Sequence, residues 1–294
     1  MPTLGFLACE TTLPGASQRR EDAFEHDRMI AALQPAMAGC GLDLRVIAWE
    51  APLEAFSGVA CVLLGTAWDY QDKAESFLAK LDALAAHGIA VCNPPDLVRW
   101  NLTKTYLREL SDAGVPTIPT LWRETVTAKG ITEALDVFEC DAVVVKRQIG
   151  AGAEGQELMR RSSLAEGWHF DRPAMIQPYL PAIATEGEIS FIFIDGAFSH
   201  ALIKRAADGE YRIQSLYGGR EELYEASAED VATAQRVLNA VPFATPLYAR
   251  IDMLRGDEGL LLMEAELIEP YLYPEQGPQL GERLARAIAK RLEI

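Results

Sequence analysis

Hydrophobic residues first gather into three short runs, TLGFLAC at 3–9, LDLRVIAW at 42–49 and VACVLLGT at 59–66. Runs of this length, apolar on both parities, predict strands buried on both faces. Between the first two, Phe24, Ile30, Leu33 and Met37 fall near one face of a helix. A second helix is predicted from Lys73 to Ala86, before IAVCNPP forms a strand that prolines stop. Strand and helix alternate over roughly the first 95 residues, which predicts a small, mostly parallel α/β sheet.

The pattern changes at Val98. A helix LTKTYLRELSDAG, a turn VPTIP, a helix from Thr132 to Phe138 and the strand DAVVVKR lead into a glycine loop and predict a second, smaller lobe. Beyond Arg172-Pro173 come MIQPYLP and then GEISFIFIDG and AFSHALIKR, alternating strands joined at Asp195-Gly196, a tight-hairpin dipeptide. YRIQSLYGG predicts another strand, 228–240 a helix, LYARIDML and GLLLMEAELIEP a pair turning at Arg255–Gly259, and 280–292 a closing helix. The third lobe is expected to be antiparallel α+β, with divisions at 1–97, 98–175 and 176–294.

Composition narrows the function. A net charge of -16 lacks the clustered cations that nucleic acid requires, and disfavours an anionic membrane surface for the same reason. The N-terminus has no basic start followed by an apolar run, and no window approaches the roughly 18 to 20 apolar residues of a span, so a cytoplasmic protein is expected. Cys9, Cys40, Cys61, Cys92 and Cys140 show neither CxxC nor Cys/His spacing and are expected to be reduced thiols, those in apolar runs in the core.

Candidate chemistry begins at VVVKRQIGAGAEG, where Gly150, Gly152 and Gly155 spell G-x-G-x-x-G. In a dinucleotide fold those glycines follow the first strand, open an amphipathic helix and precede an acid about 20 residues on. Here QELMRRSSLAEG offers only Leu158, Met159 and Leu164 as large apolar residues, and Asp171 precedes a strand instead of following one. Lys146, near the end of an apolar strand, is costly to bury without a partner, and a glycine loop can bring backbone N–H groups to phosphate. Phosphate binding is therefore favoured over NAD.

A strand places residues i and i+2 on one face. Glu264 and Glu266 then share a face with Leu262 and Ile268, Arg250 and Asp252 share one on the preceding strand, and Asp252 falls opposite Glu264. Opposed carboxylates repel unless a cation lies between them. Carboxylates grouped in this way are hard ligands for Mg²⁺ beside substrate phosphates; a solvent-facing strand is the alternative. A phosphate loop in one lobe and carboxylates in the next suggest an ATP·Mg²⁺ site between them.

In this combination the chain resembles the ATP-grasp superfamily, which includes glutathione synthetase and D-alanine:D-alanine ligase. MIQPYLP, GEISFIFIDGAFSHALIKR, LYARIDML and LMEAELIEP make it most similar to the cycloserine-forming cyclo-ligase branch. The resemblance implies an ATP-grasp fold, α/β and α+β, preceded by a Rossmann-like pre-ATP-grasp α/β domain. It implies Lys104 and Lys146 at the nucleotide phosphates under the Gly150, Gly152 and Gly155 loop, and Gln177, Tyr179 and Leu180 at the adenine hinge. Glu188 would stand at the ribose, Lys204 and Arg212 at phosphate or substrate carboxylate, Gly218-Gly219-Arg220 in a substrate loop, and Arg250 at the transferring phosphoryl group. Asp252, Glu264 and Glu266 would hold Mg²⁺, expected as two ions that Mn²⁺ can replace.

Each position has an ordinary alternative: Lys104, Arg212 and Arg220 as surface charges, Tyr179 and Leu180 as core, His200 as a structural histidine. Arg147 stands where many relatives carry proline, and Glu266 where the last metal ligand is often asparagine. The implied reaction is ATP-dependent carboxylate–amine ligation through an acyl phosphate on a small amino-acid-like substrate such as an O-ureidoserine, as in antibiotic biosynthesis. Dimers are common in the family, and the sequence carries no assembly signal of its own. A nucleotide-binding regulatory protein and an NAD-dependent oxidoreductase are the alternatives.

Overall fold

The computed structural model describes residues 1–150, 155–206 and 218–294. Strands β1 (Thr3–Ala8), β2 (Asp43–Ala48), β3 (Val59–Thr66) and β4 (Ala90–Cys92) form a parallel sheet in the order β2-β1-β3-β4. Helices α1 (Ala23–Gly39) and α2 (Ala74–Ala86) are its crossovers. Strand order reverses between β1 and β3, so the loops leaving their carboxyl ends diverge and open a crevice, the usual ligand position of an open α/β sheet. Ala67–Tyr70 leaves from that crevice.

The buried stripe of α1 is Ala23, His26, Met29, Leu33 and Met37. Ile30 packs at its edge, but Phe24 is 38% exposed under the Arg28 guanidinium and does not join the stripe. His26 takes the inward place because its ring meets Phe6 edge-on and its Nδ1 hydrogen-bonds the Thr66 hydroxyl at 2.7 Å, which satisfies its polar atom inside the core. Cys9, Cys61 and Cys92 are buried, Cys40 and Cys140 partly so, and all five are free thiols.

Pro95 begins α3 (Pro95–Asn101), at the first-turn position where a missing N–H costs nothing. The helix expected from Leu102 is instead the shorter α4 (Tyr106–Asp112), with Lys104 in the turn before it. Next come β5 (Leu121–Arg123), β6 (Val126–Thr127), α5 (Ala128–Val137), β7 (Ala142–Arg147), β8 (Glu157–Arg160), β9 (His169–Phe170) and β10 (Ala174–Pro178). An antiparallel sheet runs β5-β10-β7-β8, β6 pairs with β9, and α5 buries Ile131, Ala134 and Leu135 in one cluster with Val143, Val145 and Ile176. Because β7 and β8 are antiparallel neighbours, the glycine stretch connects two strands, and the strand-then-helix geometry of a dinucleotide fingerprint is absent.

The remainder comprises α6 (Ala182–Thr185), β11 (Glu188–Ile194), β12 (Ala197–Arg205), β13 (Arg220–Leu223), α7 (Ala228–Ala240), β14 (Tyr248–Gly256), β15 (Gly259–Glu266) and α8 (Leu280–Arg291). Its antiparallel sheet runs β13-β12-β11-β14-β15. Asp195 and Gly196 turn the β11–β12 hairpin with φ of 48° and 81°, the two positive values that a type I′ turn requires. Most of the strand expected at YRIQSLYGG lies outside the described residues.

Alternation divides this sheet by task. Ile189, Phe191 and Phe193 of β11 and Ala249, Ile251 and Met253 of β14 belong to the core under α7. Ile192, Ile194 and Tyr248, on the other parity, join α8 and the first sheet through Leu284, Ile288, Leu4 and Phe6. Between these and the end of β14 the same parity carries Glu188, Ser190, Arg250 and Asp252, which are polar and buried.

One expectation of strict alternation fails at β15. Asp252 faces Glu264, but the ladder then slips by one residue and Met253 faces Leu262. Leu262 therefore enters the α7 core, fully buried, and does not share the face of Glu264 and Glu266; a bulge inverts every side chain beyond it.

Candidate active site

The polar face of the third sheet reads as rows across the strands. Lys204 on β12 faces Glu188 on β11; Ser190 faces Asp252, which faces Glu264; Arg250 faces Glu266. Each row alternates acid with cation or hydroxyl, apart from the Asp252–Glu264 step, which cations flank on both sides.

Arg250 lies at the centre. Its Nε and Nη2 donate to Asp252 at 3.0 to 3.1 Å, Nη2 also donates to Glu266, and Nη1 donates to the Tyr271 carbonyl at 3.2 Å. Burial opposes the Asp252 charge, but Arg250 and then Lys204 hold its carboxyl down at about 2, with the Ser190 hydroxyl donating at 2.5 Å. Glu266 differs: burial pushes its carboxyl up to about 7 despite Arg250, since Asp252 and Glu264 add repulsion. Lys204 bonds Glu188 and lies 3.5 Å from Asp252. Burial opposes the Lys204 ammonium, yet those two acids hold its pKa above the ordinary lysine value. Glu188, 2% exposed, is pushed by burial to about 7 against the pull of Lys204.

Lys104 joins the sheet to the glycine loop. Its Nζ donates to the Gly150 carbonyl at 2.8 Å and to Glu264, and its backbone N–H donates to the Gln148 carbonyl at 2.8 Å. Asn101 and Tyr106 hold its turn in place: the Asn101 amide bonds the Ala265 carbonyl and the Leu267 N–H, and the Tyr106 hydroxyl accepts from Ala265 N–H. Asn93 braces the first sheet in the same way, donating to the Tyr248 and Leu267 carbonyls at 3.0 and 2.7 Å and accepting from Leu247 N–H at 2.7 Å.

Lys146 is half-buried at the end of β7, and no carboxylate among the described residues lies within ion-pair distance of it. Burial lowers its pKa, with Glu264 and Glu188 pulling the other way. Arg147, which stands where many relatives carry proline, lies beside Gly150 and Gly155. A Cβ on Gly150 would stand 3.2 Å from its Nε, and one on Gly155 (φ +67°) would stand 3.0 Å away. The two glycines thus leave room for the Arg147 side chain as well as permitting the turn. Gly152 and Arg212 lie outside the described residues.

Among the hinge candidates, Gln177 is buried with its amide on the Thr120 hydroxyl at 3.0 Å, while Tyr179 and Leu180 are half-buried and Tyr179 N–H donates to the Ala142 carbonyl. Arg220 is exposed on β13. His200 is structural: it is buried between the Ser199 hydroxyl and the Leu272 carbonyl, with burial lowering its pKa to about 4.

Among the described residues no three His, Cys, Asp or Glu side chains converge as metal ligands. Asp252, Glu264 and Glu266 instead turn to Arg250, Lys204 and Lys104. Their oxygen-only donor set, on adjoining strands in register, fits a hard divalent cation in charge and atom type. Ser190, Asn93, Asn101, Tyr106 and Glu269 belong to the site or its supports without having been assigned a role from sequence; of these Ser190, inside GEISFIFIDGAFSHALIKR, and Glu269, inside LMEAELIEP, stood in motifs that carry the resemblance.

Residues 5–93 match the family profile described as the N-terminal domain of D-cycloserine synthetase DcsG. The cycloserine biosynthesis protein DcsG of Streptomyces lavendulae is 30% identical over 292 residues, covering 89% of this chain and 94% of that protein. The crystal structure of D-cycloserine synthetase DcsG superposes with a TM-score of 0.81 at 26% identity, over 99% of both chains. The D-alanine–D-alanine ligase from Bacillus anthracis complexed with ATP gives 0.69 at 18% identity, over 100% of this chain and 97% of that one, a likeness of fold. With a relative of this identity along nearly its whole length and a shared fold over 99% of both chains, the chain belongs to the D-cycloserine synthetase family of ATP-grasp ligases.

Proposed function

We propose that the chain is an ATP-dependent carboxylate–amine ligase that closes a ring within an amino-acid derivative, a reading supported by its relative's name in cycloserine biosynthesis, with an O-ureidoserine as the substrate class that the sequence resemblance implies. The observation that carries this reading is the pair of hydrogen bonds that Lys104 donates to the Gly150 carbonyl and to Glu264, which brings the start of the glycine loop and the carboxylate sheet within the reach of one side chain.

In the reaction, a substrate carboxylate oxygen bonds to the γ-phosphorus as the bond to ADP breaks. The ring nitrogen of the same molecule then bonds to the carbonyl carbon of the acyl phosphate, loses its proton, and inorganic phosphate departs. Mg²⁺, when bound, would neutralise the triphosphate and the oxygens on which charge develops. Asp252, Glu264 and Glu266 would hold it as two ions, and Mn²⁺ suits the same oxygens.

The chain's own residues bind and orient. Lys146, with no carboxylate partner among the described residues, and Lys104 receive phosphate oxygens, and Arg250 presents fixed positive charge to the transferring group. Backbone groups at Gln177 to Leu180 would receive the adenine, and the ion-paired Glu188 and Lys204 would face the ribose and the substrate. The glycine loop would exclude water from the acyl phosphate.

Incubating substrate labelled with ¹⁸O in its carboxylate tests the route. One labelled oxygen is expected in the released phosphate; unlabelled phosphate with full turnover would rule the acyl phosphate out.

A further inference from the structure

Tyr70, Asn101, Lys104, Glu264, Glu266 and Glu269 line one small pocket, with Gly150 on its loop side. Tyr70 comes from the loop that leaves the strand-order reversal of the first sheet, where ligands of such sheets bind.

Matching acids to cations around this pocket leaves one acid over. Glu264 bonds Lys104, Glu266 and Asp252 bond Arg250, and Glu188 bonds Lys204. Glu269 is only 9% exposed, and no lysine, arginine or histidine among the described residues lies within ion-pair distance of it. Asn101 does not serve it, since that amide is committed to Ala265 and Leu267. The backbone of Glu269 is held, because its carbonyl accepts from Trp68 Nε1 at 3.0 Å and Pro270 follows. Burial, and then Glu266, pushes its carboxyl well above the usual carboxylate range. The one hydrogen bond that counters this comes from its own backbone N–H, and a desolvated acid without a cation is costly to keep charged, so its place in a ligand pocket points to a cation carried by the ligand.

We propose that Glu269 receives the α-ammonium group of the amino-acid substrate. The inference rests on the cyclo-ligase reading: ring closure consumes the carboxyl group and the oxyamine nitrogen, so the α-amino group passes through unreacted and must be held by something else. A carboxylate three residues beyond Glu266 places that group beside the activated carboxyl end.

The test compares O-ureidoserine with its des-amino analogue, 3-(ureidooxy)propanoate, by calorimetry on the full chain with Mg²⁺ and a non-hydrolysable ATP analogue. The native protein is expected to prefer the amino probe by about 10- to 100-fold, the span of a charge-assisted hydrogen bond. Glu269→Gln is expected to bring the ratio near one with nucleotide affinity unchanged, and Glu269→Asp to keep part of the preference. No preference in the native protein, or an unchanged ratio in Glu269→Gln, overturns the subsite alone. A native protein that binds the nucleotide but neither probe overturns the cyclo-ligase reading and the subsite together.

Discussion

Replacing Arg250 with methionine removes the cation that two buried acids share. Asp252, 2% exposed, keeps only Ser190 and a Lys204 ammonium 3.5 Å away, and Glu266 keeps no cation within ion-pair distance among the described residues. Breaking one side of a buried pair costs about 3–5 kcal/mol, most of it the charge left behind. Part of that cost depends on pH. Burial already raises the Glu266 carboxyl to about 7, and Arg250 is the largest influence holding it down. A carboxyl raised in the folded state supports the fold below its unfolded pKa and withdraws that support as pH rises through the folded value. Without Arg250 the folded value climbs further, so the loss at pH 8 should exceed that at pH 5.5 by about 1–2 kcal/mol. Urea unfolding at both pH values measures this, and adding Glu266→Gln to Arg250→Met should recover the pH-dependent part. Equal losses at the two pH values, with strictly additive effects of the two substitutions, would refute the shared-cation account.

Lys146→Met should weaken ATP binding about 10- to 100-fold by calorimetry while leaving the urea midpoint unchanged or higher, because a half-buried ammonium with no carboxylate partner among the described residues is removed. Gly155→Ala should raise the KM for ATP and cost about 1–3 kcal/mol, since φ is +67° and Arg147 Nε would stand 3.0 Å from the new methyl group. Adding Arg147→Ala should relieve only the steric share, which thermal unfolding of both variants would resolve. His200, lowered by burial to about 4, supports the fold fully above its unfolded value and less as pH falls from about 6.5 toward 4. His200→Gln should flatten that acid limb by up to about 3 kcal/mol in urea titrations, and an unchanged limb would contradict the assignment.

Much of the architecture was legible because its signals are local. Parallel strands covered on both faces must be apolar on both parities, and VACVLLGT has no other easy home. Two-residue alternation sufficed to set Asp252 opposite Glu264. It failed at Leu262, since a one-residue slip is decided by how two strands pair and not by either strand's own pattern. His26 was missed because a histidine enters a core only if a distant partner, here Thr66, satisfies it. Asn93 and Asn101 were silent for a related reason: each serves backbone atoms more than 150 positions away, and backbone leaves no trace in composition. Lys146 stood out as a charge in an apolar run, whereas Glu269 among other acids of LMEAELIEP becomes distinctive only once the cations around it are assigned.

The division of the third sheet by parity also bears on how such a protein can diverge. On β11 and β14 the hydrophobic packing under α7 is carried by Ile189, Phe191, Ile251 and their like, while the charged groups sit on the intervening positions. Substitutions on the charged parity can therefore alter which acid or amine is accepted without repacking that core, and conservative exchanges under α7 can drift without moving a charge. Two nearly independent sets of positions, interleaved along the same strands, would let a lineage of ligases change substrates while its scaffold stays in place.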